Sequence, residues 1–240
     1  VHLALSLCIA ALAALLVFGL WYPYPYRDIS GGRELFLLVV TVDVILGPLI
    51  TLAVFNRKKP WSELRRDLAV VGAIQLAALG YGLWTVAVAR PVHMVFEYNR
   101  FRVVHAVDVV PELLGQTPAD VVALPLMGPT LLSLRPFKDN KEMIDATMAA
   151  LQGADLAARP DLWQTYDKGV PEVLKEAKPV DALKARFAAR AAAIDEVLAR
   201  AGRSAQNTVY VPMIGRNQFW TVFLDPSTAQ VLATMPLDSF

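Results

Sequence analysis

Three long apolar runs crowd the first ninety residues, and no other feature restricts the fold as much. Leu3–Trp21 holds no charge in 19 residues, Leu35–Phe55 holds one, Asp43, in 21, and Leu68–Ala89 holds none in 22. Each matches the roughly 20 residues that a helix needs to cross ~30 Å of hydrocarbon. Lipid cannot satisfy open backbone groups, so a crossing segment of this kind is helical. The aromatic cluster Trp21, Tyr22, Tyr24 and Tyr26 after the first run fits an interfacial belt, which favours a retained span over a cleaved signal.

Charge then orients the spans. The loop Asn56–Asp67 carries Arg57, Lys58, Lys59, Arg65 and Arg66 against Glu63 and Asp67, whereas Tyr22–Glu34 balances two cations against two anions. Lys and Arg stay on the cytoplasmic side. The five cations therefore set the topology: N-terminus cytoplasmic, residues after 90 outside. In a Gram-negative cell, outside is the periplasm.

Asp43 needs a reason for being in an apolar run. A carboxylate near mid-membrane costs roughly 2.5–3.5 kcal/mol on insertion scales. Gly47-Pro48 follows within about one and a half turns, and Pro48 lacks the N–H that would bond the Val44 carbonyl. Three readings fit: a docking notch for a partner helix, an ion or proton site, or internal glue in which Asp43 bonds Gln75 or Thr85. A single carboxylate offers no relay, which argues against transport. Asp43, Gly47, Pro48 and Gln75 are thus the candidate partner-binding or helix-packing positions. Ala69, Ala73 and Ala77 add small residues at helix-packing spacing.

Residues 90–240 carry 33 of the 45 charged side chains and read as a water-exposed domain. Alternating apolar residues across His93–Val110 predict a β-hairpin about Asn99-Arg100. Val121–Leu124 and Leu131–Leu134 are short strand candidates. Lys138–Gly153 reads as a helix with Met143, Ala146, Thr147, Ala150 and Leu151 at helical spacing. Asp155–Lys178, with Pro160 and Pro171, reads as irregular. Asp181–Ala201 reads as one helix, with Asp181 as N-cap and Gly202 as C-cap. Thr208–Ile214, Phe219–Leu224 and Gln230–Thr234 read as a closing meander. The expected fold is α+β: three transmembrane helices over residues 1–89 (spans about 3–21, 35–55 and 68–89), then a periplasmic domain over 90–240 with mainly antiparallel β-sheet and packed helices.

Chemistry is sparse. The chain holds one Cys, so no intramolecular disulfide is available, and its three His do not form a ligand pattern. A metal on His93 and His105 across the hairpin is a minor alternative. No phosphate-binding loop and no nucleophile elbow occur. Net charge is +1, which gives nucleic acid nothing to act on. The residues point to binding rather than catalysis, with no cofactor and with the lipid bilayer as one partner.

Several stretches carry a resemblance: Tyr22-Pro23, Val42–Leu49, Phe55-Asn56 with the basic loop after it, Arg66-Asp67-Leu68, Gln75, Tyr81-Gly82, Arg90-Pro91 and Arg100–Val104. In order and spacing they resemble the type IV pilin accessory proteins of the TfpX/TfpZ family. The likeness is densest over residues 20–110; Leu151–Leu156 and the final hairpin extend it. The resemblance implies an inner-membrane accessory protein or chaperone, not an enzyme, whose partner is a type IV major pilin. It carries no catalytic residues over. A subunit of the pilus assembly machinery, or a membrane-anchored ligand sensor or enzyme, are the rival readings. Oligomeric state is not legible.

Overall fold

Backbone satisfaction organises the N-terminal residues into helices broken at glycine and proline. The computed structural model describes residues 2–41, 45, 47–54, 60–216 and 218–240, in two units, Val1–Arg90 and Pro91–Phe240. In the first, helix α1 (His2–Leu16) runs into a π-helical turn, Val17–Trp21, closed by the Tyr22 N–H on the Val17 carbonyl at 2.7 Å. Then follow α2 (Tyr26–Ile29), α3 (Gly32–Thr41), α4 (Gly47–Val54) and α5 (Trp61–Val88). Tyr22 is fully buried with Val17 and Val86, flanked by Phe18, Phe36 and Leu83. Its hydroxyl donates to the Val86 carbonyl at 3.3 Å. Gly32 makes this possible: a Cβ there would lie 2.4 Å from the Tyr22 ring.

Here the three-span expectation is corrected. Among the described residues one helix, α5, is long and apolar enough to cross a membrane. At 1.5 Å per residue its 28 residues measure about 42 Å. The apolar helix of the first run, Ser6–Trp21, is too short by the same criterion. Of the second run, the described residues form α3 as far as Thr41 and the eight-residue α4 from Gly47. The multi-pass inner-membrane placement, with a cytoplasmic N-terminus and a periplasmic C-terminal domain, rested on three spans and falls with them.

The second unit is built on one open, mixed sheet. Its strands are β1 (Pro91–Glu97), β2 (Arg100–His105), β3 (Thr130–Leu134), β4 (Trp163–Thr165), β5 (Lys178–Pro179), β6 (Val209–Ile214), β7 (Phe219–Leu224) and β8 (Val231–Met235). The order is β4-β3-β1-β2-β6-β7-β8, with β5 on β6. The expected hairpin is present, with Glu97 paired to Arg100 across its turn. The closing meander is present too. The sheet expected as mainly antiparallel is mixed and open, not purely antiparallel, because β3 joins β1 in parallel and β6 joins β2 in parallel. Parallel pairs need a crossover of a dozen or more residues, and the segments between these strands are long enough to supply one.

Four helices complete the unit: α6 (Asn140–Leu151), α7 (Tyr166–Glu176), α8 (Val180–Arg186) and α9 (Ala191–Arg200). Leu183, Ile194 and Leu198 from α8 and α9 pack with Tyr210, Phe223 and Met235. The single helix expected over 181–201 is therefore two, parted by a non-helical Phe187 and a 3₁₀ turn. Asp181 lies in the first turn of α8 rather than at its cap, which is Pro179. Gly202 does close α9: at φ +68° its N–H reaches the Ala199 carbonyl and the Arg203 N–H that of Leu198. Strand β4 and helix α7 occupy the segment read as irregular, and Val121–Leu124 forms no strand.

Candidate partner-binding site

Of the sequence-derived candidates, Gly47 and Pro48 open α4. Asp43 lies outside the described residues, as do Arg57, Lys58 and Lys59. Arg65 and Arg66 are exposed near the start of α5. Gln75 sits midway along α5, half-buried, with its amide Nε2 buried and without a partner among the described residues. Thr85, the other suggested mate for Asp43, donates to the Tyr81 carbonyl of its own helix at 2.9 Å. An unmet amide donor inside an apolar helix costs free energy until something accepts from it.

The C-terminal unit holds a groove of about 580 Å³ between the tip of the β1–β2 hairpin, the segment after β3, and α7. Phe96, Tyr98, Phe137, Gln164, Lys168 and Glu172 are among its lining residues. Helix α7 approaches β3 closely because Gly169 faces Ser133: a Cβ on Gly169 would stand 2.3 Å from the Ser133 hydroxyl. At the rim, Tyr98 is exposed and holds φ +55° in the two-residue turn of the hairpin. A bulky side chain in that region is strained, and such strain gathers at functional sites.

Cations around the groove are already engaged. Arg135 grips Glu142 through two hydrogen bonds, at 2.9 and 2.7 Å, and also reaches the Asp161 carbonyl. That grip, aided by the Lys138 N–H, holds the Glu142 carboxyl down at about 2. Lys168 bonds Asp120 at 2.7 Å. What the groove offers is apolar and amide surface with its cations paired and the carboxylates of Glu172 and Glu176 on its lining, which suits contact with a folded partner.

The stretch Arg100–Val104 supplies a clamp. Glu97 is 3% exposed, and its Oε1 accepts from Arg100 Nε at 3.0 Å and Arg102 Nε at 2.8 Å. Arg102 continues to Asp155 at 3.2 Å. The hairpin is thus fastened to the segment after α6. Helix α6 lies within the stretch Lys138–Gly153 read as helical. It buries Ala146, while Met143, Ile144, Met148 and Leu151 are exposed. Ile144, Met148 and Leu151, at four- and three-residue spacing, form an outward apolar stripe.

His93 and His105 engage different partners rather than each other. His93 is fully buried, with Nε2 on the Ala123 carbonyl at 2.9 Å and Nδ1 on the Thr130 hydroxyl at 2.7 Å. Burial drives its pKa down to about 4, so the ring is neutral near pH 7, and the carbonyl fixes the tautomer that donates from Nε2. His105 pairs with Asp108 at 3.0 Å. Among the described residues no three His, Cys, Asp or Glu side chains could hold a metal ion.

Gln75, the groove and the α6 stripe are amide and apolar surfaces, not a cluster of reactive groups. The chain belongs to the family of fimbrial assembly proteins. The chain is 33% identical over 242 residues to the fimbrial assembly protein of serogroup I from Dichelobacter nodosus, covering all of this chain and 94% of the relative. The serogroup E1 protein of that organism is 31% identical over the same lengths, and the protein of serogroups C1 and C2 is 40% identical over 116 residues, 48% of this chain and 88% of the relative. The family model for fimbrial assembly protein FimB matches residues 1–31. No solved structure matches. These relatives are named assembly proteins, not enzymes, and the kinship places the chain in pilus biogenesis.

Sequence reasoning missed Gly169, the Glu97 clamp and the outward face of α6. Glu97, Arg100 and Arg102 were visible as charges among apolar residues, and an alternating strand that carries a carboxylate beside two arginines was the available signal.

Proposed function

We propose that the chain is a pilin accessory protein of the TfpX/TfpZ kind, a chaperone that binds, stabilises or helps assemble a cognate type IV pilin. The carrying observation is kinship over the full length with fimbrial assembly proteins. In this reading α5 crosses the bilayer once. A prepilin presents an apolar helix and a globular head, and two features suit the two parts. Gln75, with its unmet donor, suits a carbonyl or hydroxyl on a partner helix; Asp43, Gly47 and Pro48 are proposed for the same helix contact. The groove around Tyr98 and the α6 stripe suit the head.

Site-specific photocrosslinking tests this. Crosslinkers at Gln75, Tyr98 and Met148 are expected to yield pilin adducts from all three positions. Adducts mainly with assembly-platform components would replace the chaperone with a machine subunit. An Asp43→Asn variant with unchanged pilin binding would remove Asp43 from the contact.

A further inference from the structure

Strand register gathers a set of exposed apolar side chains at one end of the sheet. The chain enters β1 at Pro91, and β2 returns to that end at His105, which pairs with Pro91. Strand β3 runs parallel to β1 and starts beside it, with Thr130 opposite His93. The loop leading into β3 is therefore at the same end, and His93 fastens it there through Ala123 and Thr130. Strand β6 runs with β2 and is level with Arg102 at Ile214, so the turn that follows β6 leads toward the same end. The Arg216–Asp108 contact at 3.6 Å joins the β6–β7 turn to the segment after β2.

At this end Val107, Val122, Leu124, Leu126 and Met127 are between 37% and 73% exposed. Residues 121–129, VVALPLMGP, contain no charge. A soluble surface rarely leaves so many large apolar side chains open side by side. Chain connectivity says what covers them. Only Ala89 and Arg90 separate the end of α5 from β1, and two extended residues reach about 7 Å. The end of the sheet that meets α5 has no tether with which to leave the bilayer surface.

We propose that this end of the sheet is a lipid-contacting surface, in which the 121–129 loop enters the headgroup–acyl boundary and seats the C-terminal unit on the membrane. The depth required is the ~5–10 Å of an interfacial element. The aliphatic and methionine side chains of the uncharged 121–129 loop suit that zone. His93 holds the loop in place from behind. The proposal rests on α5 crossing the bilayer.

Nitroxide-lipid quenching tests it in the full chain, reconstituted in phosphatidylethanolamine/phosphatidylglycerol nanodiscs without pilin. Fluorophores go on single cysteines at Ile74, Met127 and Tyr98 in a Cys8→Ser background. All three positions are exposed, so folding is not at stake. Tyr98 lies in the turn at the opposite end of β1 and serves as the water reference. Met127 is expected to be quenched by lipid-borne nitroxides at least roughly twofold more than Tyr98, as an interfacial site should be, with Ile74 quenched as a membrane position. If Ile74 is quenched and Met127 matches Tyr98, the surface fails while the membrane helix stands. If Ile74 is not quenched, both fail. Shielding of Met127 that appears only when pilin is added, or only with two copies per disc, assigns the surface to protein and overturns the proposal.

Discussion

Acidification should loosen the C-terminal unit through one residue, His93. In the fold the ring is buried against Trp163, with ring centroids 4.5 Å apart, and both nitrogens are engaged. Burial lowers its pKa from 6.5 to about 4. The unfolded chain then binds the proton more readily than the folded one. The stability His93 permits is complete above pH 6.5, falls as pH drops from 6.5 to 4, and is level below. At 1.36 kcal/mol per pKa unit, the window is worth about 3 kcal/mol. Hydrogen–deuterium exchange of the full chain reads this in the amides of β1 and β3. Protection corrected for intrinsic exchange should fall close to tenfold per pH unit in that window. A His93→Gln variant keeps an amide donor and loses the titration, so its profile should be flatter by the same amount. Equal slopes in variant and native protein, or an imidazole that titrates near 6.5, would refute the reasoning.

Three further outcomes follow from the packing. Gly169→Ala forces a methyl against Ser133 and should cost about 1–3 kcal/mol, an overpacking penalty read by chemical denaturation; Ser133→Gly in the same chain should restore most of it, and no rescue would place the damage elsewhere. Glu97→Ala strands two arginines and should cost about 2–3 kcal/mol, below the full value for a buried pair because the arginines keep some water access; a loss under the error of the denaturation midpoint would show that the clamp is idle. Glu142, held at about 2 chiefly by Arg135, contributes stability that is present above its ordinary pKa near 4.5 and is lost as pH falls toward 2; Arg135→Met should remove that dependence in acid denaturation, and an unchanged acid limb would count against the pair.

Local pattern carried part of the fold. Alternation over Pro91–His105 and over the last three strands marks β structure because a strand's period is two wherever it pairs. Gly202 marks a helix end because only glycine takes positive φ there without strain. The prolines misled: Pro160 and Pro171 hid β4 and α7, since Pro171 removes one helical bond and not the helix. Of the candidate site, Gln75 was named from sequence for its polarity in an apolar run, and its unmet donor became visible only when its neighbours were placed.

The sequence by itself determined the apolar run Leu68–Ala89 that makes up most of α5, the hairpin and the meander, because those depend on neighbours a few residues away; that α5 starts at Trp61, inside the stretch read as a loop, came from the structure. Tertiary structure alone decided that β3 and β6 lie parallel to β1 and β2, that α6 turns Ile144, Met148 and Leu151 outward, and that His93 pins the 121–130 loop. Pairing direction and helix facing are settled by contacts between residues tens of positions apart, and local periodicity is the same whichever partner wins.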